Sequence, residues 1–326
     1  MMQSRFFNHI QVKPKKSTVR KSSIDTEKLR QELSWYLKIP KELQSISPKI
    51  LQYNMDENHS FIDMEFYDHP TLSNMYLYRN YSVETWKKIC QEIESTLHKL
   101  GKYKLKFVST QKLIKSMKRM YEKKTYERLK SVLSKEHVAL FDTEYLEINN
   151  QVCVGLKYVF SMLPKLINES DLYNQNQFSI IHGDFCFGNL LYNFETGIIY
   201  MIDPRGKFGD FDIYGDPRYD VAKLLHSIEG EYDVIVNGMF HSCWKDKNFF
   251  YNLHTNDYQS MVKNVFNKHF LKKWQTNRLQ IKLIESLMFL SMVPLHADSL
   301  QAQQIFLARG LQILTQISSE LSLVKF

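Results

Sequence analysis

Apolar and polar residues along this chain alternate with two different periods, and the change from one to the other divides it. Before residue 68 the repeat is mostly near two. Phe6 to Val12 and Thr18 to Lys21 read as short strands, and "ILQYNMDENHSFIDMEFY" reads as two strands around a polar turn, Asp56 to Ser60. Between them "SSIDTEKLRQELSWYLKIP" has a helical period: Ser23 or Asp25 can cap its start, Leu29, Leu33 and Tyr36 or Leu37 share a face, and Pro40 ends it.

After Leu77 the helical repeat dominates. "SVETWKKICQEIESTLHKLG" offers Ser82 as cap, an apolar stripe of Trp86, Ile89, Ile93, Leu97 and Leu100, and Gly101 just past the end. A basic helix follows from Lys112 to Lys135, then an apolar helix near Val152 to Leu163. Further on, Asp216 can cap a helix that has Pro217 at its first position and Val221, Leu224, Leu225 and Ile228 on one face. The remainder reads as largely helical, with "LIESLMFLSMV" its most buried piece. The pattern predicts a small strand-rich part, residues 1–68, and a larger helical part, residues 69–326.

Composition narrows the class. With 44% hydrophobic residues in 326, the chain can fill a sizeable core. No run of about 18 uncharged apolar residues occurs, since the longest, Leu287 to Leu295, is about half a membrane span. The start, MMQSRFFNHIQVKPKK, has no apolar segment followed by a small-residue cleavage site, so a cytoplasmic protein without membrane contact is expected. Four scattered cysteines without CxxC spacing predict reduced thiols and no zinc site. The net charge of +8 is densest in Lys112 to Lys135, with nine Lys or Arg against two Glu. Leu113, Met117, Met120, Tyr121, Leu129 and Val132 give that segment an inner face, so its lysines read as a solvated side. An anionic partner is the competing reading, with nucleotide as good a candidate as nucleic acid.

The chemistry concentrates in "FSIIHGDFCFGNLLYNFETGIIYMIDPRG", residues 178–206. Two strand-like runs each end in an aspartate, and antiparallel pairing would bring Asp184 and Asp203 to one end with Asn189 beside them. Two carboxylates and an amide oxygen form a hard-oxygen set suited to Mg²⁺, which takes one or two protein carboxylates and completes its shell with phosphate and water. One of the aspartates can instead accept the proton of an attacking hydroxyl.

"HGDFCFGN" resembles the H-G-D-x-x-x-x-N catalytic loop of the aminoglycoside phosphotransferase and choline kinase family, and "YMIDPRG" resembles that family's metal-binding strand end. The resemblance implies a protein-kinase-like, two-lobed α+β fold, with a small β-rich nucleotide-binding lobe and hinge at 1–68 and a helical catalytic and acceptor-binding lobe at 69–326. It implies Asp184 as catalytic base or hydroxyl-orienting residue, Asn189 and Asp203 as Mg²⁺ ligands, and His182 as a structural support of the loop. It also implies Lys21 as the phosphate-gripping lysine and Glu32 as the carboxylate holding it. Backbone groups near Met64, Glu65 and Phe66 would contact the nucleotide base, with Tyr67 close by. A glycine-rich phosphate loop is missing, because the first glycine is Gly101.

The co-substrate implied is ATP or GTP, and the partner is a small molecule that presents a hydroxyl. Asp210, Asp212, Asp216 and Asp220 could hold an amine and Arg205 an anionic group. Capping and loop roles compete for the aspartates, as does a helix first turn for Asp220. His296 and Asp298 could line an acceptor pocket or serve as core edge and cap. "IDPRGKFGDFDIYGDPRYD" resembles a subgroup of bacterial surface-polysaccharide biosynthesis proteins that phosphorylate sugars or amino alcohols. Competing functions are a nucleotide-binding pseudokinase or scaffold, a protein kinase, and a nucleic-acid-binding module resting on the basic helix alone.

Overall fold

In the computed structural model, residues 8–56 and 59–324 are described. Phe6 and Phe7 of the first expected strand, and Glu57 and Asn58 of the expected turn, lie outside them. Four antiparallel strands form the first sheet: β1 (Asn8–Lys13), β2 (Thr18–Ser23), β3 (Ile50–Asn54) and β4 (Phe61–Glu65), in the order β1-β2-β4-β3. Arg20 on β2 faces Asp63 on β4 and ties the central pair, with Nε to Oδ1 at 2.7 Å and Nη2 to Oδ2 at 2.6 Å. The first helix, α1 (Thr26–Lys38), starts where the Asp25 side chain accepts the amide of Lys28. Leu29 and Leu33 on α1 bury against Ile62 and Met64 of β4, so the helical and two-residue apolar repeats meet in one small core.

The chain divides into two compact units. One holds the residues up to 106 together with 178–220, and the other holds 107–177 with 221–326. This partition groups the first sheet with the loop that carries Asp184. The first unit also holds the helix Val83–Lys102, whose Ser82 cap and buried Trp86, Ile89, Ile93 and Leu100 follow the expected stripe. Gly101 lies inside this helix and Tyr103 caps it, which corrects the expected stop.

Strand pairing around residues 178–206 differs from the single hairpin that the sequence suggests. Ser179–Ile180 pairs with Tyr214–Gly215, while Leu190–Tyr192 pairs with Ile199–Met201. The apolar run before Asp184 therefore belongs to another sheet. Asn189 and Asp203 flank the open end of the true hairpin, and Asp184 sits in the loop that leads into it.

In the second unit the basic segment is helical over Thr110–Met117 and Lys124–Lys130, joined by a π-helical turn, Lys118–Lys123. The expected helix from Val152 begins only at Leu156, because Gln151–Val154 is a strand. It pairs with Tyr145–Ile148 through Asn149 and Asn150, both with left-handed φ (51° and 62°), a two-residue turn that asparagine tolerates. Phe240–Lys245 and Asn248–Leu253 complete this four-stranded sheet, where the sequence suggested helix. The helices Arg278–Met292 and Leu300–Glu320 pack on each other, and every residue from Leu283 to Val293 is buried.

Candidate active site

Lys21 sits on β2 with its side chain 8% exposed, and its ammonium donates to Glu32 Oε2 at 2.7 Å and also to Asp203 Oδ1. Helical spacing on α1 places Glu32 on the same turn as Leu29 and Leu33, so the packing that docks the helix also delivers the carboxylate to the lysine. The electrostatics follow from burial. Burial disfavours the charged lysine, but Asp203 and Glu32 outweigh it and raise the Lys21 pKa. Burial pushes the Glu32 carboxyl upward, opposed by the lysine and aided by the nearby Asp203 charge. For Asp203, burial also acts upward, but Lys21 overrides it and holds the carboxyl below the usual range.

Lys21, Tyr36 and Asp203 border an open cleft whose apolar lining includes Ile10, Val19, Met64, Leu191 and Ile202. Glu65, Phe66 and Tyr67 line it as well. The amides of Glu65 and Phe66 are already committed, to the carbonyls of Lys49 at 3.0 Å and Ser17 at 2.9 Å.

The loop from His182 to Asn189 is held from three sides. The buried carboxylate of Asp220 accepts the amides of His182 and Gly183, both at 2.7 Å. Trp35 Nε1 donates to the Ile181 carbonyl at 2.8 Å, and the Arg205 amide donates to the His182 carbonyl at 2.9 Å. His182 is fully buried and its Nδ1 accepts the amide of Asp184 at 3.3 Å. Burial lowers its pKa to about 4 against the pull of Asp184 and Asp203. Asn189 Nδ2 donates to the Asp184 carbonyl at 2.9 Å and to its Oδ2 at 3.1 Å, while its own carbonyl accepts the Ile202 amide at 3.0 Å. This last bond couples Asn189 to the strand end that carries Asp203.

Among the described residues no group of three or more His, Cys, Asp or Glu side chains is arranged to hold a metal ion. The donors at the hairpin end are one carboxylate, Asp203, with its side chain 42% exposed, and the amide oxygen of Asn189, whose nitrogen faces Asp184. Such a sparse set of hard oxygens fits Mg²⁺ carried in with phosphates and does not fit a closed site for a transition metal.

The family described as "Phosphotransferase enzyme family" matches residues 20–242. The chain belongs to this family. Among curated proteins none matches the chain. Among solved structures, the GDP complex of a mutant aminoglycoside 2′-phosphotransferase-IIIa is similar at 13% identity and TM-score 0.55, covering 98% of this chain and 90% of that one. A ternary complex of a thermostable aminoglycoside phosphotransferase APH(4)-Ia with ADP and hygromycin B is similar at 10% identity and TM-score 0.52, covering 91% and 85%. The ADP-bound APH(2″)-Ib is similar at 12% identity and TM-score 0.50, covering 91% and 88%. At such identities the likeness is one of fold, the protein-kinase-like α+β fold.

In this phosphotransferase, Lys21, Glu32, Asp184, Asn189 and Asp203 all lie in the first compact unit and in one connected set of contacts. The acidic loop is more dispersed. Asp216 is fully buried and its carboxylate is taken by Arg218, with Nε at 3.0 Å and Nη2 at 2.8 Å. Asp212 pairs with Lys38 at 2.7 Å, and Asp210 is exposed. Arg205 is half-buried, with Nη1 donating to the Tyr219 hydroxyl at 3.2 Å. Asp298 is exposed and His296 lies against Phe306, ring centres 4.7 Å apart. Three residues with roles here escape sequence reasoning. Trp35 and Tyr36 look like ordinary members of an apolar stripe, and Asp220 looks like a residue placed for the helix dipole.

Proposed function

We propose that this phosphotransferase is a Mg²⁺-dependent small-molecule kinase, which moves the γ-phosphoryl group of ATP or GTP to a hydroxyl of a sugar, amino sugar or amino alcohol. The observation that carries the reading is the buried ammonium of Lys21, fixed between Glu32 and Asp203 at the border of an apolar cavity, with Asp184 and Asn189 joined to the same strand end. Residues 1–68 form the nucleotide-binding lobe and hinge in this reading, and the base lies among Val19, Met64, Leu191 and Ile202 with Glu65 and Phe66 at its edge.

Each residue has a physical task. Lys21 neutralises phosphate oxygens, and Glu32 keeps its ammonium from turning away. Asp184 orients the acceptor hydroxyl and takes its proton as the new O–P bond forms and the nucleoside diphosphate leaves. Asn189 and Asp203 would hold Mg²⁺, which when bound supplies neutralising charge on the phosphates. Positioning and electrostatics, not covalent chemistry, thus account for the rate. Arg205, Asp210 and Asp212 are the acceptor-side candidates. Buried Asp216 braces Arg218 instead. The extension to surface-polysaccharide biosynthesis rests on the resemblance of residues 202–220 alone.

A nucleotide-consumption screen over choline, ethanolamine, sugars, amino sugars and aminoglycosides identifies the acceptor. On that acceptor Asp184→Asn should lower turnover by about 10³-fold or more with nucleotide affinity retained, since proton acceptance is worth about 10² to 10⁴. Wild-type turnover by Asp184→Asn would sink the assignment.

A further inference from the structure

Asp203 has a backbone conformation that its sequence neighbourhood opposes. Its φ is +58°, in the left-handed region that side chains other than Gly, Asn and Asp seldom enter. The next residue is Pro204, and a residue preceding proline is driven toward extended backbone with φ near about −120°. Such a conformation persists only where the surroundings over-determine it.

Those surroundings are specific. The hydroxyl oxygen of Tyr36 accepts the Asp203 amide at 3.2 Å. Tyr36 is 4% exposed, borders the nucleotide cavity, and lies one helical turn after Glu32 on α1. α1 is itself fastened nearby: Trp35 bonds the Ile181 carbonyl, and Gly206 packs so closely on the Gln31 carbonyl that a Cβ there would come within 1.9 Å. Tyr36 is thus presented by a helix that cannot drift from the strand end.

We infer that Tyr36 is a positioning residue, which pins the strained Asp203 backbone so that the carboxylate is held ready for a divalent cation brought by the nucleotide. The inference rests on the proposed role of Asp203 and deepens it. Glu32 and Tyr36 then form a pair on successive turns of α1, the first setting Lys21 and the second setting Asp203.

The test uses Mn²⁺ as probe, with binding measured by electron paramagnetic resonance on the full chain with ADP, alongside ADP affinity without metal. Tyr36→Phe, which removes only the hydroxyl, should weaken Mn²⁺ binding by about fivefold, more than it weakens metal-free ADP binding, as fits the loss of one hydrogen bond that acts through Asp203. In an Asp203→Ala background the same substitution should add nothing, because the tyrosine acts through that residue. Melting without ligand separates folding from positioning, since a purely structural tyrosine would lower both affinities together. Unchanged Mn²⁺ binding in Tyr36→Phe, or equal loss in both backgrounds, would overturn the inference. Unchanged Mn²⁺ binding in Asp203→Ala would instead overturn the parent assignment of Asp203 itself.

Discussion

Burial turns ordinary side chains in this site into constrained ones, and His182 is the clearest case. Its pKa is lowered to about 4 from an ordinary value of 6.5, so folding favours the neutral ring. The unfolded chain binds this proton more readily, and the contribution to stability is therefore complete above about pH 6.5 and lost as pH falls toward 4. The shift corresponds to something on the order of 3 kcal/mol. Urea-unfolding midpoints measured from pH 7 to 4.5 should fall more steeply for the wild-type protein than for a His182→Asn variant, and parallel curves would contradict this. Asp184, Asn189 and Asp203 stand out in the sequence through the resemblance of "HGDFCFGN" and "YMIDPRG" to the family's motifs. Tyr36 does not, since an apolar stripe admits tyrosine as readily as leucine, and only the fold shows its hydroxyl meeting a distant amide.

Elements position these residues through close backbone approach as much as through side chains. Gly206 follows the strand end with φ +64°, and its α-carbon faces the Gln31 carbonyl of α1 without room for a methyl group. Gly206→Ala should destabilise the protein by about 2 kcal/mol or more through clash and left-handed strain together, a loss visible as a lowered denaturation midpoint. By contrast Gly101, in the helix Val83–Lys102, has open space around it, which explains why that helix runs through a residue the sequence marks as a stop. The hairpin prediction erred for a related reason. Alternation identifies a strand but not its partner, and Phe178–Ile181 offers the same apolar face to either sheet. The four-stranded sheet of the second unit is hidden in the sequence because its strands sit between helical stretches, although Asn149 and Asn150 carry a turn signal.

At the scale of the whole molecule, every residue proposed for nucleotide and metal lies in one compact unit, built from the residues up to 106 and from 178–220. ADP with Mg²⁺ at about 100 times its dissociation constant would stabilise the binding-competent state by about 2.7 kcal/mol. Hydrogen exchange should therefore slow mainly at β1, β2, β4, α1 and residues 182–206, and uniform slowing across both units would speak against the assignment. In the basic segment, where the charge of +8 is densest, Leu113, Met117, Met120, Tyr121 and Leu129 are buried while Lys112, Lys118, Lys123 and Lys130 are exposed. No described helix is long and apolar enough to cross a membrane. The sequence by itself determined most of the local periods and, through its short motifs, the reaction class, because these depend on residues close together along the chain. The tertiary structure alone decided which strands pair and that α1 reaches across more than a hundred residues to hold both Ile181 and Asp203. Contacts between such distant segments depend on how the core packs, and packing leaves no mark on any single stretch of sequence.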